Sequence, residues 1–378
     1  MATIAYNTRP RPTGIYVDGK KRNFFVRFIM RLLPWKGDSK FEMGRKCVFL
    51  IALTALIYFG GSEAYIFLND HYQQIKIDQK LEGIFNPNVS DEMRNEVNRG
   101  RQLPMLDEYI EHWSYNNDLV GHILIPDMTS SLPYSDLNRH VMNYLVYQRV
   151  EYNDSGSRRI GDNEYYLNHN FDGARSAGGS IFADYRHGFE DDGVLPGNTV
   201  LYGHNIYTGN MFAKVADYYK AYYYGHGISY YQKHPIVHFN TLYERHDWKI
   251  FAVVLFNTDE RYGEVYNYHV VHEFTDADHF HTYILDIMDR SVIFTDVDLE
   301  YGDHILTLST CFWPQTEAER AVVFARRVRD GESLFVDVEK AHINRQFLPY
   351  ELQARSYGSN WVGRVWDYET YLLSYDGD

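Results

Sequence analysis

Of the chain's two cysteines, Cys311 is the one whose surroundings suggest work on a substrate, because it ends a strongly β-prone run, TLSTC (307–311). A thiol attacks an amide only as its thiolate, and a free cysteine near neutral pH is mostly protonated, so a nucleophilic Cys311 needs a base or a cation beside it. His204, in LYGHN (201–205), is the candidate partner. It follows a strand-like run through Tyr202 and Gly203, and a glycine there permits a tight exit. Both residues also have plainer readings: a lone thiol can be a small buried hydrophobe, and any one of the 17 histidines can sit on a solvated loop. Position favours chemistry for Cys311, since the alternation of a strand stops at its end and the next side chain can face a groove, while for His204 the solvated-loop reading is the one the residues alone favour.

The elements that must carry these residues are legible from about residue 121 onward as short β-branched runs set between Gly, Asn and Asp. They are HILIP (122–126), NTVLYG (198–203), KIFAVVLF (249–256), SVIFTDV (291–297), HILTLST (304–310) and RAVVFARRV (320–328). Short strands so spaced predict an all-β barrel or sandwich. Helical spacing interrupts them at 211–222 and 276–290 and predicts a further helix over 135–149 (SDLNRHVMNYLVYQR). Upstream, KIDQKLEGI (76–84) and DEMRNEVNRGRQLPMLDEYIEHW (91–113) read as a stalk and an N-terminal helical pair. About fifty residues follow Val328, with aromatics through 344–372. Whether that tail packs on the barrel, binds a partner or covers the groove stays open.

Composition narrows the classes. With 378 residues, 45% hydrophobic and 16% aromatic, the chain is neither disordered nor a disulfide-stapled mini-protein, and it is too hydrophilic for a polytopic membrane protein. A net charge of −14 argues against nucleic-acid binding. The charge is divided: residues 1–46 hold eleven Lys or Arg against three acids, leaving the remainder at −22. At the boundary lies the most apolar stretch, CVFLIALTALIYFGGSEAYIFL (47–68), which includes Cys47 and a single acid, Glu63. Its length predicts one retained membrane span, with the basic flank cytoplasmic and the rest outside. A signal peptide fits less well, because the basic region is long and no small-residue cleavage site closes the run. A buried soluble helix is the other reading. Within the flank, FFVRFIMRLLP (24–34) would suit an anionic membrane surface or a solvated tail equally. The expected organisation is a basic tail (1–46), a span (47–68), a stalk with helices (69–120), a catalytic barrel (121–330) and a C-terminal extension (331–378).

TLSTC, with LYGHN about a hundred residues earlier and an arginine opening the strand after the cysteine, resembles the sortase signature. Further blocks match the class B branch in order: DNEYYLNHNFDG (162–173), GGSIFADYR (178–186), GNTVLYGHNIYTGNMF (197–212), the helix before SVIFTDV, and DHILTLSTC (303–311). The likeness spans roughly residues 100–330. It implies a mainly β fold, a sortase-type eight-stranded β-barrel with N-terminal helices and a long helix between two late strands. It also implies roles. Cys311 would be the nucleophile, and His204 the acid that protonates the leaving amine and then the base that activates the incoming one. Arg320, nine residues after the cysteine, would bind the developing oxyanion or the substrate carbonyl. Arg326, Arg327 and Arg329 compete for that part from further along the strand. Asn163 and Leu167 align with the wall of the family's sorting-signal groove, Tyr202 and Ser309 flank the catalytic His and Cys, and each would contact substrate or be an ordinary polar or core residue. Trp313 stands where some class B members carry an acid, which weakens a case for a fourth catalytic group.

The resulting expectation is a membrane-anchored cysteine transpeptidase. It would cut a C-terminal sorting signal of secreted proteins after Thr and pass the protein to an amine, either of a peptidoglycan precursor or of a pilin lysine, with wall anchoring favoured. A hydrolytic cysteine peptidase and an inactive membrane-tethered binding module are the alternatives. No cofactor is expected, and no metal: His269, His272, His279 and His281 span different elements without a tight ligand motif.

Overall fold

The computed structural model describes residues 28–29, 31–35, 37–84, 89–131, 139–151 and 161–357. Expectations that fall on 1–27, 132–138, 152–160 and 358–378 lie outside the described residues. The chain divides into two compact units at Asn69/Asp70. In the first, helix α1 (Lys40–Ile84) begins. Its segment Lys40–Ser62 is long and apolar enough to cross a membrane, and almost none of it is covered by protein.

The second unit is built on eight strands: β1 (Leu119–Pro126), β2 (His140–Tyr147), β3 (Ile181–Ala183), β4 (Asn198–Tyr202), β5 (Ile236–Thr241), β6 (Asp247–Asn257), β8 (Ile305–Cys311) and β9 (Glu319–Arg327). They close into a barrel in the order β1-β2-β3-β4-β8-β9-β6-β5. β2/β3 and β4/β8 run parallel, and the other neighbours are antiparallel. The eight-stranded ring expected from the resemblance is therefore present.

Strand β6 shows why its sequence is a continuous apolar run rather than an alternating one. Val253 and Leu255 point into the barrel core, while Phe251, Val254 and Phe256 meet a second core outside it. A strand buried on both faces has no polar side to show. The second core is capped by α6 (Ala277–Arg290), whose Phe280, Tyr283, Ile284, Ile287 and Met288 are buried at helical spacing. Asp276 starts that helix by accepting the backbone N–H of His279 at 2.8 Å. This is the long helix between two late barrel strands. Helices α4 (Ala213–Tyr223) and α5 (Ser229–Lys233) lie between β4 and β5.

The 91–113 stretch forms two short helices, α2 (Asp91–Val97) and α3 (Asp107–Tyr115). Gly100, at φ 80°, and Pro104 interrupt it. Arg94 joins the two helices through Asp107 at 2.8 Å. Tyr109 and Ile110 bury against Leu119, Tyr147 and Phe182 of the barrel wall.

Two expectations need correction. The helix read over 135–149 is absent where the chain is described: HVMNYLVY is strand β2. It pairs antiparallel with β1 and buries Met142, Tyr144 and Val146 on alternate positions, so the operative period is two. SVIFTDV supplies only the two-residue strand β7 (Ile293–Phe294), which lies outside the barrel. Its partner is β10 (His342–Ile343), from the C-terminal extension. The extension then buries Phe347 in the main core and ends, among the described residues, in α7 (Glu351–Tyr357).

Candidate active site

Sheet order decides where the chemistry meets. β4 and β8 are parallel neighbours with Tyr202 opposite Ser309, so both end at the same mouth of the barrel. His204 lies two residues past the end of β4, and Cys311 is the last residue of β8. β9 returns antiparallel from that mouth and places Arg320 directly opposite Cys311. All three line one groove of about 470 Å³, and all three are partly exposed.

The two strand ends are interlocked. Thr310 Oγ1 donates to the carbonyl of Gly203 at 2.8 Å, and Asn205 Nδ2 donates to the carbonyl of Cys311 at 2.8 Å. Gly203 is required by space: a Cβ there would lie 2.4 Å from Ile181 Cδ1 and 2.9 Å from the Phe212 ring. The His204 ring is oriented by the backbone, with Nε2 2.8 Å from the carbonyl of Leu167. A carbonyl only accepts, so Nε2 is the donor in that contact.

Pairing separates the four arginines. Arg326 is wholly buried and joined to Glu332 at 2.6 Å and Asp298 at 3.1 Å. Arg329 is held by Asp298 at 2.6 Å and Asp303 at 2.8 Å, and Arg327 faces Asp330 at 3.9 Å. Arg320 forms no ion pair among the described residues. It donates to the carbonyls of Glu317 and Glu319 at 3.0 and 2.9 Å, which leaves its charge uncompensated at the groove.

Asn163, Leu167, Tyr202 and Ser309 all line the same groove. Several of their polar groups are already committed. Asn163 Nδ2 and the Tyr202 hydroxyl donate to Asp184 Oδ2 at 3.0 and 2.9 Å. Asp184 is fully buried and is also gripped by Arg186 through Nε at 2.8 Å and Nη2 at 2.6 Å. Burial pushes its carboxyl upward, but the Arg186 guanidinium and backbone N–H outweigh that and hold it at about 2. Asn163 and Tyr202 thus shape the groove wall as partners of a buried carboxylate.

Sequence reasoning missed Tyr268, whose hydroxyl is 2.8 Å from Ser309 Oγ and whose ring stacks on Phe256. Burial pushes its phenol up to about 12, against a lowering pull from Ser309 and Arg320. It sits in an irregular segment with no periodicity to single it out. The histidines weighed as ligands are dispersed: His269 lines the groove, His272 packs edge-on against His187, and His279 meets Phe274 edge-on. Among the described residues no group of three or more His, Cys, Asp or Glu is placed to hold a metal.

The family model "Sortase domain" matches residues 182–328, a span that contains the β4, β8 and β9 strands of the site. "Sortase B" of Listeria monocytogenes is 29% identical over 272 residues, covering 70% of this chain and 89% of that protein. "Sortase B" of Staphylococcus aureus is 29% identical over 166 residues, covering 44% of this chain and 61% of that protein. Among solved structures, a Staphylococcus aureus sortase B–substrate complex is similar at 25% identity and a TM-score of 0.48, covering 69% of this chain and 99% of that one. Residues 182–328 thus carry a sortase domain, the domain of a family of cysteine transpeptidases, and the relatives that this chain matches are sortases B.

Proposed function

We propose that this enzyme cleaves a C-terminal sorting signal of secreted proteins after Thr and transfers the new carboxyl end to an amine of the cell wall. The observation that carries the reading is the convergence of Cys311, His204 and the uncompensated Arg320 on one groove. The thiolate of Cys311 attacks the Thr carbonyl, and the C–S bond forms as the carbonyl oxygen takes up negative charge beside the Arg320 guanidinium. The C–N bond then breaks, and the leaving amine takes a proton from the His204 imidazolium. In the second half the incoming amine attacks the thioester and gives a proton back to the imidazole, and the thiolate leaves. Arg320 serves both halves, because the same oxyanion forms twice.

In this reading Lys40–Ser62 anchors the enzyme in the membrane. The basic flank lies in the cytoplasm and the barrel lies outside, following the bias of Lys and Arg toward the cytoplasmic side. The partners are a sorting-signal peptide and an amine acceptor.

The test is a library of internally quenched peptides with Thr at the scissile position, incubated with the full chain in detergent with and without small amines. Ligation to the amine, with a thioester on Cys311 trapped by mass spectrometry, supports the proposal. Cleavage by water alone points to a peptidase, and a product from Cys311→Ala at the wild-type rate removes the nucleophile.

A further inference from the structure

The C-terminal extension reaches back to the loop that joins the cysteine strand to the arginine strand. Glu319 is fully buried and immediately precedes Arg320. Its Oε2 accepts the backbone N–H groups of Gln315 and Thr316 at 2.8 and 2.9 Å, and its Oε1 accepts the hydroxyl of Tyr350. The loop so gathered supplies the carbonyls of Glu317 and Glu319 that hold the Arg320 guanidinium. A second tether lies alongside: Gln315 Nε2 donates to Ser356 Oγ at 2.8 Å. Gln353, on the same helix α7, donates to the Tyr219 hydroxyl at 2.7 Å, and the Tyr219 ring packs on Phe312, next to the cysteine. The segment is seated on the barrel independently of these bonds, by buried Phe347 and by the backbone of Asn344 on Val292 at 2.9 Å.

We infer that residues 344–357 brace the 312–318 loop through Tyr350 and Glu319, and so fix the guanidinium of Arg320 over the reacting carbonyl. Tyr350 and Glu319 are positioning residues, acting on the reaction through Arg320. A buried carboxylate with three donors holds one geometry. Removing the hydroxyl frees the carboxylate to turn, and the loop and its carbonyls turn with it. Misplacement of a reacting group by about 1 Å costs about a hundredfold in rate, so a modest loosening has a large kinetic reading.

The kinetic half of this inference rests on the role proposed above for Arg320, whereas the structural half does not, and the experiment separates them. Full-chain Tyr350→Phe keeps the ring and the docking of Phe347. Hydrogen exchange of the 312–318 peptide in this variant should speed by about threefold or more while the β6 and β8 peptides keep their rates. Ser356→Ala should move the same peptide in the same direction. With the quenched peptide library, kcat of Tyr350→Phe should fall about ten- to a hundredfold with KM within about twofold, because the groove wall at Asn163 and Leu167 is untouched. On an Arg320→Lys background Tyr350→Phe should add nothing further. Unchanged exchange at 312–318 overturns the brace. Losses that multiply in the double variant overturn its action through Arg320. A wild-type enzyme inert toward the whole library counts against the proposed function, and the exchange rates then decide the brace by themselves.

Discussion

Asp184→Asn isolates the carboxylate beneath the groove, and its effect can be worked from the structure. The side chain is fully buried, accepts from Asn163, Tyr202 and Arg186, and is held at about 2 against an ordinary aspartate value of 3.8. Each pH unit between those values corresponds to about 1.4 kcal/mol, so ionisation of Asp184 contributes about 2–3 kcal/mol to folding at neutral pH. The native value is the depressed one. The contribution is therefore fully present above about pH 4 and is lost as the pH falls toward about 2. Asparagine keeps the shape and one acceptor but has no charge to lose, and it leaves the part-buried Arg186 without its counter-ion. Urea unfolding of wild type and variant in parallel, from pH 7 down to pH 2.5, should show a gap of about 2–3 kcal/mol at pH 7 that closes through the acid range. A gap that is constant with pH, or absent at pH 7, would refute the claim that charge pairing at Asp184 sets the groove wall.

Other substitutions test the remaining parts of the site. Arg320→Lys keeps the charge but loses the planar fork, so kcat/KM should fall about a hundredfold or more at unchanged melting temperature; wild-type turnover would return the role to another group. Arg326→Ala should do the reverse. Removing the wholly buried guanidinium breaks its pairs with Glu332 and Asp298 and leaves unfilled space, which should cost about 2–5 kcal/mol in a denaturant melt, while the fraction still folded turns over normally. In Gly203→Ala the new methyl meets Ile181 and Phe212, so a loss of about 1–3 kcal/mol should come with a slower thiol step as His204 is displaced. An unaltered melt and rate would mean that the neighbours give way freely.

Residues that carry local patterns are legible in the sequence itself. TLSTC, LYGHN and the β9 arginine run announce their strands by β-branching and their ends by glycine or polar residues, and the helix Ala277–Arg290 announces itself by apolar spacing and an Asp cap. Whatever depends on a distant partner is not legible in this way. His140–Tyr147 carries a mixed apolar period, and only pairing with β1 selects the extended form. Tyr268 belongs to the groove because an irregular segment crosses Ser309, a relation without any sequence spacing to reveal it. The arginines of 320–329 look alike in sequence, and carboxylates drawn from two separate segments, Asp298 and Asp303 before β8 and Glu332 after β9, distinguish Arg326 and Arg329 from Arg320. The tail's attachment to Glu319 is equally non-local.

The parallel pairing of β4 with β8 has a consequence for when this enzyme becomes reactive. Parallel neighbours cannot be joined by a tight turn, and here about a hundred residues, including two barrel strands and α6, intervene between them. During synthesis the chain therefore emerges with His204 about a hundred residues before Cys311, and that cysteine is set beside it only as the ring closes. Until then Cys311 has neither His204 nor Arg320 beside it. Reactivity is a property of the finished ring, and its last strand brings the cation.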